Sequence, residues 1–141
     1  MESPQLIEIP LTGKSMTPLL RSDDTLYFKQ DKIRYCIGDV YLFKDPEDKE
    51  LIAHRLISKQ PYIFKGDLDL HWQEVSKQYH LGKLSYIKRQ GTLYQLKKRP
   101  QLLLNFILSL TKLTSEKYSR FIRRPMRTIL KLAVLVEWSL Y

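Results

Sequence analysis

Ser15 stands in the run Thr12-Gly13-Lys14-Ser15-Met16-Thr17-Pro18, and His54 in Ile52-Ala53-His54-Arg55-Leu56-Ile57. A serine hydroxyl is a poor nucleophile unless a base takes its proton and the backbone holds it exposed. A histidine, with an ordinary pKa near 6.5, can accept that proton at neutral pH without the large shift a lysine would need. Gly13 lets the chain turn tightly or a substrate approach closely. Pro18 suits the start of a short helical turn, which would leave unpaired amides near Ser15. The backbone amides of Ser15 and Gly13 are thus the candidates for stabilising an acyl-transfer oxyanion. Taken alone, a Gly-x-Ser is more often a turn or a helix cap than a nucleophile.

Two further segments come into the same series. Gly38-Asp39-Val40-Tyr41-Leu42-Phe43 precedes His54, and Phe64-Lys65-Gly66-Asp67 follows it. A carboxylate on the far ring nitrogen of His54 would fix its tautomer and stabilise the imidazolium. The acids after His54 are Asp67 and, two residues later, Asp69. Asp39 reads as a turn residue, and Met16 as a core plug beneath Ser15.

Taken in order, Gly13-x-Ser15-Met16-x-Pro18, the Gly38-Asp39 strand, the His54 strand and Gly66-Asp67 resemble the signal-peptidase and self-cleaving-repressor clan of serine peptidases. The resemblance covers about residues 11 to 69, roughly half the chain. His54 followed by Arg55 resembles the branch with a histidine base, that of the endoplasmic-reticulum and archaeal-type signal peptidases. The resemblance implies a β-rich fold and a Ser15–His54 pair. It implies an acid from the Lys-Gly-Asp box or just after it, with Asp67 favoured and Asp69 the alternative. It also implies cleavage of an extended precursor segment after a small residue. Two departures stand out. The position two before Ser15 is Gly13 rather than a hydroxyl residue, so the Ser15 amide must carry more of the oxyanion, with help from Thr12. No N-terminal membrane anchor precedes the motif, which suits a leader-removing enzyme of the cytoplasm or the inner membrane face.

The elements that would position these residues are short strands. Leu6–Ile9, Thr25–Lys29, Asp39–Phe43, Glu50–Ile57, Tyr62–Lys65 and Lys83–Lys88 are β-branched or aromatic and partly alternating. Turn signals separate them: Ser22-Asp23-Asp24, Gly38-Asp39, Asp45-Pro46-Glu47-Asp48 and Gly66-Asp67. The pattern predicts a mainly β fold, a compact curled antiparallel sheet or partial barrel, over residues 1–99. After Arg99-Pro100 the spacing becomes helical, and residues 100–141 are expected to form a basic, apolar C-terminal α-helical extension.

Charge separates the two parts. The chain of 141 residues carries a net +9. Residues 1–82 hold 11 Lys+Arg against 13 Asp+Glu, and residues 83–141 hold 13 against 2. Basic, apolar helices suit docking on the β-domain or an anionic membrane surface, with nucleic acid the least favoured partner. A peptide or protein precursor is the expected substrate. No metal or other cofactor is expected: His54, His71 and His80 lack paired ligand spacing, and Cys36 is the single cysteine. That single cysteine also precludes an internal disulfide and suits a reducing compartment. The competing readings are a catalytically inactive peptide-binding module and a basic membrane-surface or nucleic-acid-binding protein. Oligomeric state is not legible.

Overall fold

A computed structural model describes residues 5–17, 19–69 and 71–96, together with Thr128 and Leu132. The expected helical extension over residues 100–141 lies outside the described residues but for those last two positions. Eight strands follow one another: β1 (Leu6–Pro10), β2 (Thr25–Lys29), β3 (Val40–Lys44), β4 (Leu51–Lys59), β5 (Tyr62–Lys65), β6 (Trp72–Glu74), β7 (His80–Arg89) and β8 (Thr92–Gln95). A 3₁₀ turn, Lys77–Tyr79, enters β7. All pair antiparallel in one sheet of order β1-β2-β7-β3-β4-β5-β6, with β8 also on β7. The sheet is open: β1 and β6 stand at its two ends, so the partial barrel expected from the strand pattern does not close.

β7 organises the sheet because it is twice as long as most of its neighbours. One of its edges holds β2 along Lys83–Lys88. The other holds β3 along His80–Lys83 and then β8 along Tyr86–Arg89. Register slips at Tyr27/Phe28 on β2 and at Leu42/Phe43 on β3 put an irregularity on each side of β7. Such bulges sharpen local twist and bend the strand, which curls the sheet. Gly82 lies between them; a Cβ there would come 3.0 Å from both the Lys29 carbonyl oxygen and Phe28 Cβ. At the far end of β7, Gln90 and Gly91 both take positive φ, 49° and 82°. Those angles suit a two-residue hairpin turn, whose twist matches the strands it joins.

β3 is packed on both faces. Val40 and Leu42 join Met16, Leu19, Leu20, Leu26, Phe28, Leu84 and Ile87 in one buried cluster. Tyr41 and Phe43 join Leu56, Phe64 and Val75 in the other. Successive strand residues point to opposite faces, so one run of buried residues serves both clusters. This explains why Val-Tyr-Leu-Phe reads as continuous rather than alternating. By contrast β1, at the edge, alternates between exposed and half-buried positions.

Two strands lie outside the six segments read from the sequence. Trp72–Glu74 and Thr92–Gln95 are short, lie at sheet margins, and expose Trp72 and Leu93. An edge strand buries little, so its sequence carries little alternation. Among the described residues, no helix is long and apolar enough to cross a membrane.

Candidate active site

Ser15 lies on the long connection between β1 and β2. Its own turn is closed by the Thr17 amide donating to the Lys14 carbonyl at 3.0 Å, and the Leu20 amide donating to Met16 at 2.9 Å. Met16, Leu19 and Leu20 are buried beneath it. The end of the loop is pinned by Asp24, whose carboxylate accepts from the Arg21 amide at 2.8 Å. The same carboxylate receives the Arg89 guanidinium in two bonds, of 2.6 and 2.5 Å. Arg89 also donates to the Leu19 carbonyl at 3.1 Å. A loop of this length would otherwise be mobile; here apolar anchors and a buried bidentate pair hold it.

His54 sits on β4, opposite Tyr41 of β3. Its side chain is 15% exposed and its ring meets the Phe43 ring edge-on, centroids 6.1 Å apart. His54 Nε2 lies 3.0 Å from Ser15 Oγ, a hydrogen bond across 39 residues of sequence. The same nitrogen lies 3.2 Å from Asp69 Oδ2. The other ring nitrogen, Nδ1, is buried and has no hydrogen-bond partner among the described residues. The carboxylate therefore does not sit across the ring from the serine, as in a linear triad. Serine and carboxylate converge on one nitrogen.

Burial lowers the His54 pKa below its ordinary value; the Asp69 and Asp67 charges oppose that shift, and the Lys65 ammonium adds to it. A histidine so placed is neutral near pH 7 and able to accept a proton. A proton taken up on Nε2 would place the new positive charge directly beside Asp69.

Asp67, the acid favoured on sequence, is not that carboxylate. It is fully buried and receives Arg55 in two bonds, Nε at 2.7 Å and an Nη at 2.8 Å. Arg55 also donates to the Gly38 carbonyl at 2.6 Å. Since Arg55 follows His54 on β4, the two side chains leave opposite faces of the strand. His54 faces Ser15 while Arg55 ties together the turn before β3 and the segment after β5. Asp67 is a structural anchor, and the alternative, Asp69, is the acid at His54. An arginine inside the apolar run Ile52–Ile57 was the available signal, because a buried guanidinium needs a buried acid.

Gly66 sets the spacing of the site. A Cβ at this position would fall 2.3 Å from Asp69 Oδ2 and 2.8 Å from Ser15 Cβ. The loop closes around it through the Asp69 amide donating to Gly66 at 3.1 Å and the Leu68 amide donating to the Ser15 carbonyl at 2.8 Å. No side chain can stand between nucleophile and acid without separating them. Gly13, in contrast, has open space where a Cβ would lie, and it is exposed. Its freedom is not needed for packing against the site.

Lys65 is buried next to this loop, donating to the Gly66 carbonyl at 3.4 Å. Burial pulls its pKa down to about 8, against the raising effect of Asp67 and Asp69. His80, the other buried histidine, lies in an aromatic cluster rather than at the site. Asp39 pairs with Lys83 at 2.5 Å, the structural role expected of it. Among the described residues, no group of three or more His, Cys, Asp or Glu is arranged to hold a metal ion. Comparison with known proteins returns no match: no family model fits the chain, and no curated protein or solved structure is similar to it.

Proposed function

We propose that this chain is a serine endopeptidase that cleaves an extended segment of a precursor or leader peptide. The observation that carries the reading is the convergence of Ser15 Oγ and Asp69 Oδ2 on His54 Nε2, at 3.0 and 3.2 Å. In this mechanism Ser15 Oγ attacks the scissile carbonyl while His54 Nε2 takes its proton. Asp69 stabilises the resulting imidazolium. The Ser15 amide, which makes no hydrogen bond to another described residue, is the oxyanion donor, aided by the Gly13–Ser15 backbone. The imidazolium then protonates the leaving amine, and water hydrolyses the acyl-enzyme by the reverse proton path.

An extended substrate fits the sheet. β4 pairs with β3 along Leu51–Arg55, but β5 joins it only from Arg55 onward. The β5-side edge of Leu51–His54 thus has no strand partner among the described residues, and it leads to His54. A peptide laid along that edge would add as a strand and bring a carbonyl to Ser15. Cleavage after a small residue, a cytoplasmic precursor, and attachment to an anionic inner-membrane surface through residues 100–141 complete the proposal. They follow from the resemblance and from the basic charge of that segment.

The test is active-site labelling with a fluorophosphonate, read by intact mass, alongside cleavage of a precursor-peptide library. Wild type is expected to label on Ser15 and to cleave. Ser15→Ala and His54→Ala, shown folded by circular dichroism, are expected to do neither. Undiminished cleavage in both variants would overturn the proposal.

A further inference from the structure

A concavity of about 270 Å³ is lined by none of the Ser15–His54–Asp69 group. Lys29, Lys32, Arg34 and Lys83 line it together with Asp31, and Asp39 pairs with Lys83, so four cations face two carboxylates. Leu84 and Leu96 add apolar wall. The concavity lies beside Lys83–Ser85, where the edge of β7 passes from its pairing with β3 to its pairing with β8.

Two of its cations have partners and two stand exposed. Lys83 pairs with Asp39 at 2.5 Å, and the Lys29 ammonium lies 5.6 Å from the centroid of the Tyr86 ring. Lys32 and Arg34 are exposed and belong to the segment that leaves β2. That segment is fastened to β3: the Tyr41 hydroxyl donates to the Arg34 carbonyl at 3.0 Å and accepts from the Cys36 amide at 2.7 Å. The recess thus carries a net positive charge, contributed chiefly by Lys29, Lys32 and Arg34.

The recess is smaller than the roughly 300–1,000 Å³ of sites that enclose a drug-sized ligand. It suits one side chain. Aliphatic walls below a ring of cations match a carboxylate on a short hydrocarbon stem. A nucleic acid would call for cations tracking successive phosphates and for aromatic faces on which bases stack. A membrane surface would call for apolar side chains projecting among the cations.

The register links the recess to the site. Lys29 pairs with Lys83, Lys83 with Tyr41, and Tyr41 with His54, one row across β2, β7, β3 and β4. Lys83 and Lys29 thus lie two and three strand spacings of ~4.8 Å from His54, roughly 10 and 14 Å. An extended chain advances about 3.3 Å per residue, so about three to four residues separate the two binding points.

We propose that this recess is an exosite that binds a glutamate or aspartate side chain of the precursor, about three to four residues from the scissile bond. The proposal rests on the peptidase reading for the identity of the ligand, but its binding test does not require cleavage. The probe is a fluorescein-labelled hexaglutamate peptide, titrated by anisotropy into the full chain carrying Ser15→Ala, with hexaglutamine, a short oligothymidylate and phosphatidylglycerol vesicles as comparators. Hexaglutamate is expected to bind and hexaglutamine is not. Lys32→Glu with Arg34→Glu is expected to weaken hexaglutamate binding by at least about tenfold. The charge-matched control, Lys59→Glu with Lys88→Glu on exposed positions elsewhere, is expected to change it by less than about twofold. Equal loss in both pairs, no loss in either, or a loss specific to the oligonucleotide or the vesicles would overturn the proposal. If wild type also fails to cleave any acidic or neutral peptide, the peptidase reading falls while the binding result stands.

Discussion

His54 and His80 flank the same aromatic cluster, yet their surroundings differ in kind. Phe43 pairs in register with His80 on β7 and meets the His54 ring edge-on. At His80 both nitrogens are satisfied: Nε2 donates to the Val75 carbonyl at 3.0 Å, and Nδ1 accepts from the Tyr35 hydroxyl at 2.9 Å. Tyr35 meets its ring at a tilt, and Tyr62 and Phe64 edge-on, with centroids 5.4, 5.2 and 5.0 Å away. At His54 one nitrogen has two claimants and the other, though buried, has none. A buried polar atom without a partner is costly, and folded proteins contain few. His80 therefore stabilises the fold, whereas His54 is placed at some cost to stability. Burial and a lowered pKa are common to both; the state of the two ring nitrogens is what separates them, and on the proposed reading it marks His54 as the one free to transfer a proton.

The comparison breaks most sharply on alanine substitution. Ser15→Ala or His54→Ala is expected to lower kcat/KM on a cleaved peptide by about 10⁴-fold or more. His54→Ala should cost little stability, since it removes a ring already short of one hydrogen bond. His80→Ala should do the reverse: about 2–4 kcal/mol lost in urea unfolding, from two hydrogen bonds and the aromatic contacts, with the activity of the remaining folded protein near wild type. A stability loss at His54 equal to that at His80 would erase the distinction.

The two aspartates after β5 provide the next contrast. Asp67→Ala would remove the buried carboxylate to which Arg55 donates twice, so an unfolding measurement is expected to show about 3–5 kcal/mol of destabilisation. Asp69, exposed at 37% of its side chain, should tolerate Asn with little loss of stability while kcat falls about a hundredfold. Gly66→Ala should act between them. The new Cβ must push Asp69 or Ser15 aside, and a displacement near 1 Å is expected to lower kcat about a hundredfold. The readout is kcat at saturating peptide, with the unfolding midpoint as a control for folding.

How far these contrasts were legible in sequence varies by residue. Val40–Lys44 and Leu51–Lys59 announce themselves because a packed interior selects apolar and β-branched side chains along their length. Trp72–Glu74 and Thr92–Gln95 do not, because margin strands are defined by their partners. Ser15, His54 and the pair of downstream acids stand out through their order along the chain. Which acid meets His54 does not, because that depends on where Arg55 points. Once a bidentate arginine takes Asp67, only Asp69 is left beside the ring. The exosite cations, spread over 29–34 and Lys83, form no sequence motif; the β2–β7 pairing brings them together.

The smallest expected effect concerns pH, and it sharpens the comparison because both histidines shift in the same direction. Burial lowers the pKa of each below 6.5. Between the folded pKa and 6.5 the unfolded chain binds more protons than the folded one, so stability rises with pH across that window and is lost as pH falls through it. Both histidines contribute to that dependence, and unfolding alone cannot separate them. Activity can, since only His54 must be neutral to accept the Ser15 proton. The acid limb of kcat/KM is therefore expected below 6.5, at the folded pKa of His54. His80→Gln should leave the limb where it is. Asp69→Asn removes a negative charge that raises the His54 pKa, so it should move the limb further toward acid. A limb that moved with His80, or toward alkali in Asp69→Asn, would show that the titrating base is not His54 beside Asp69.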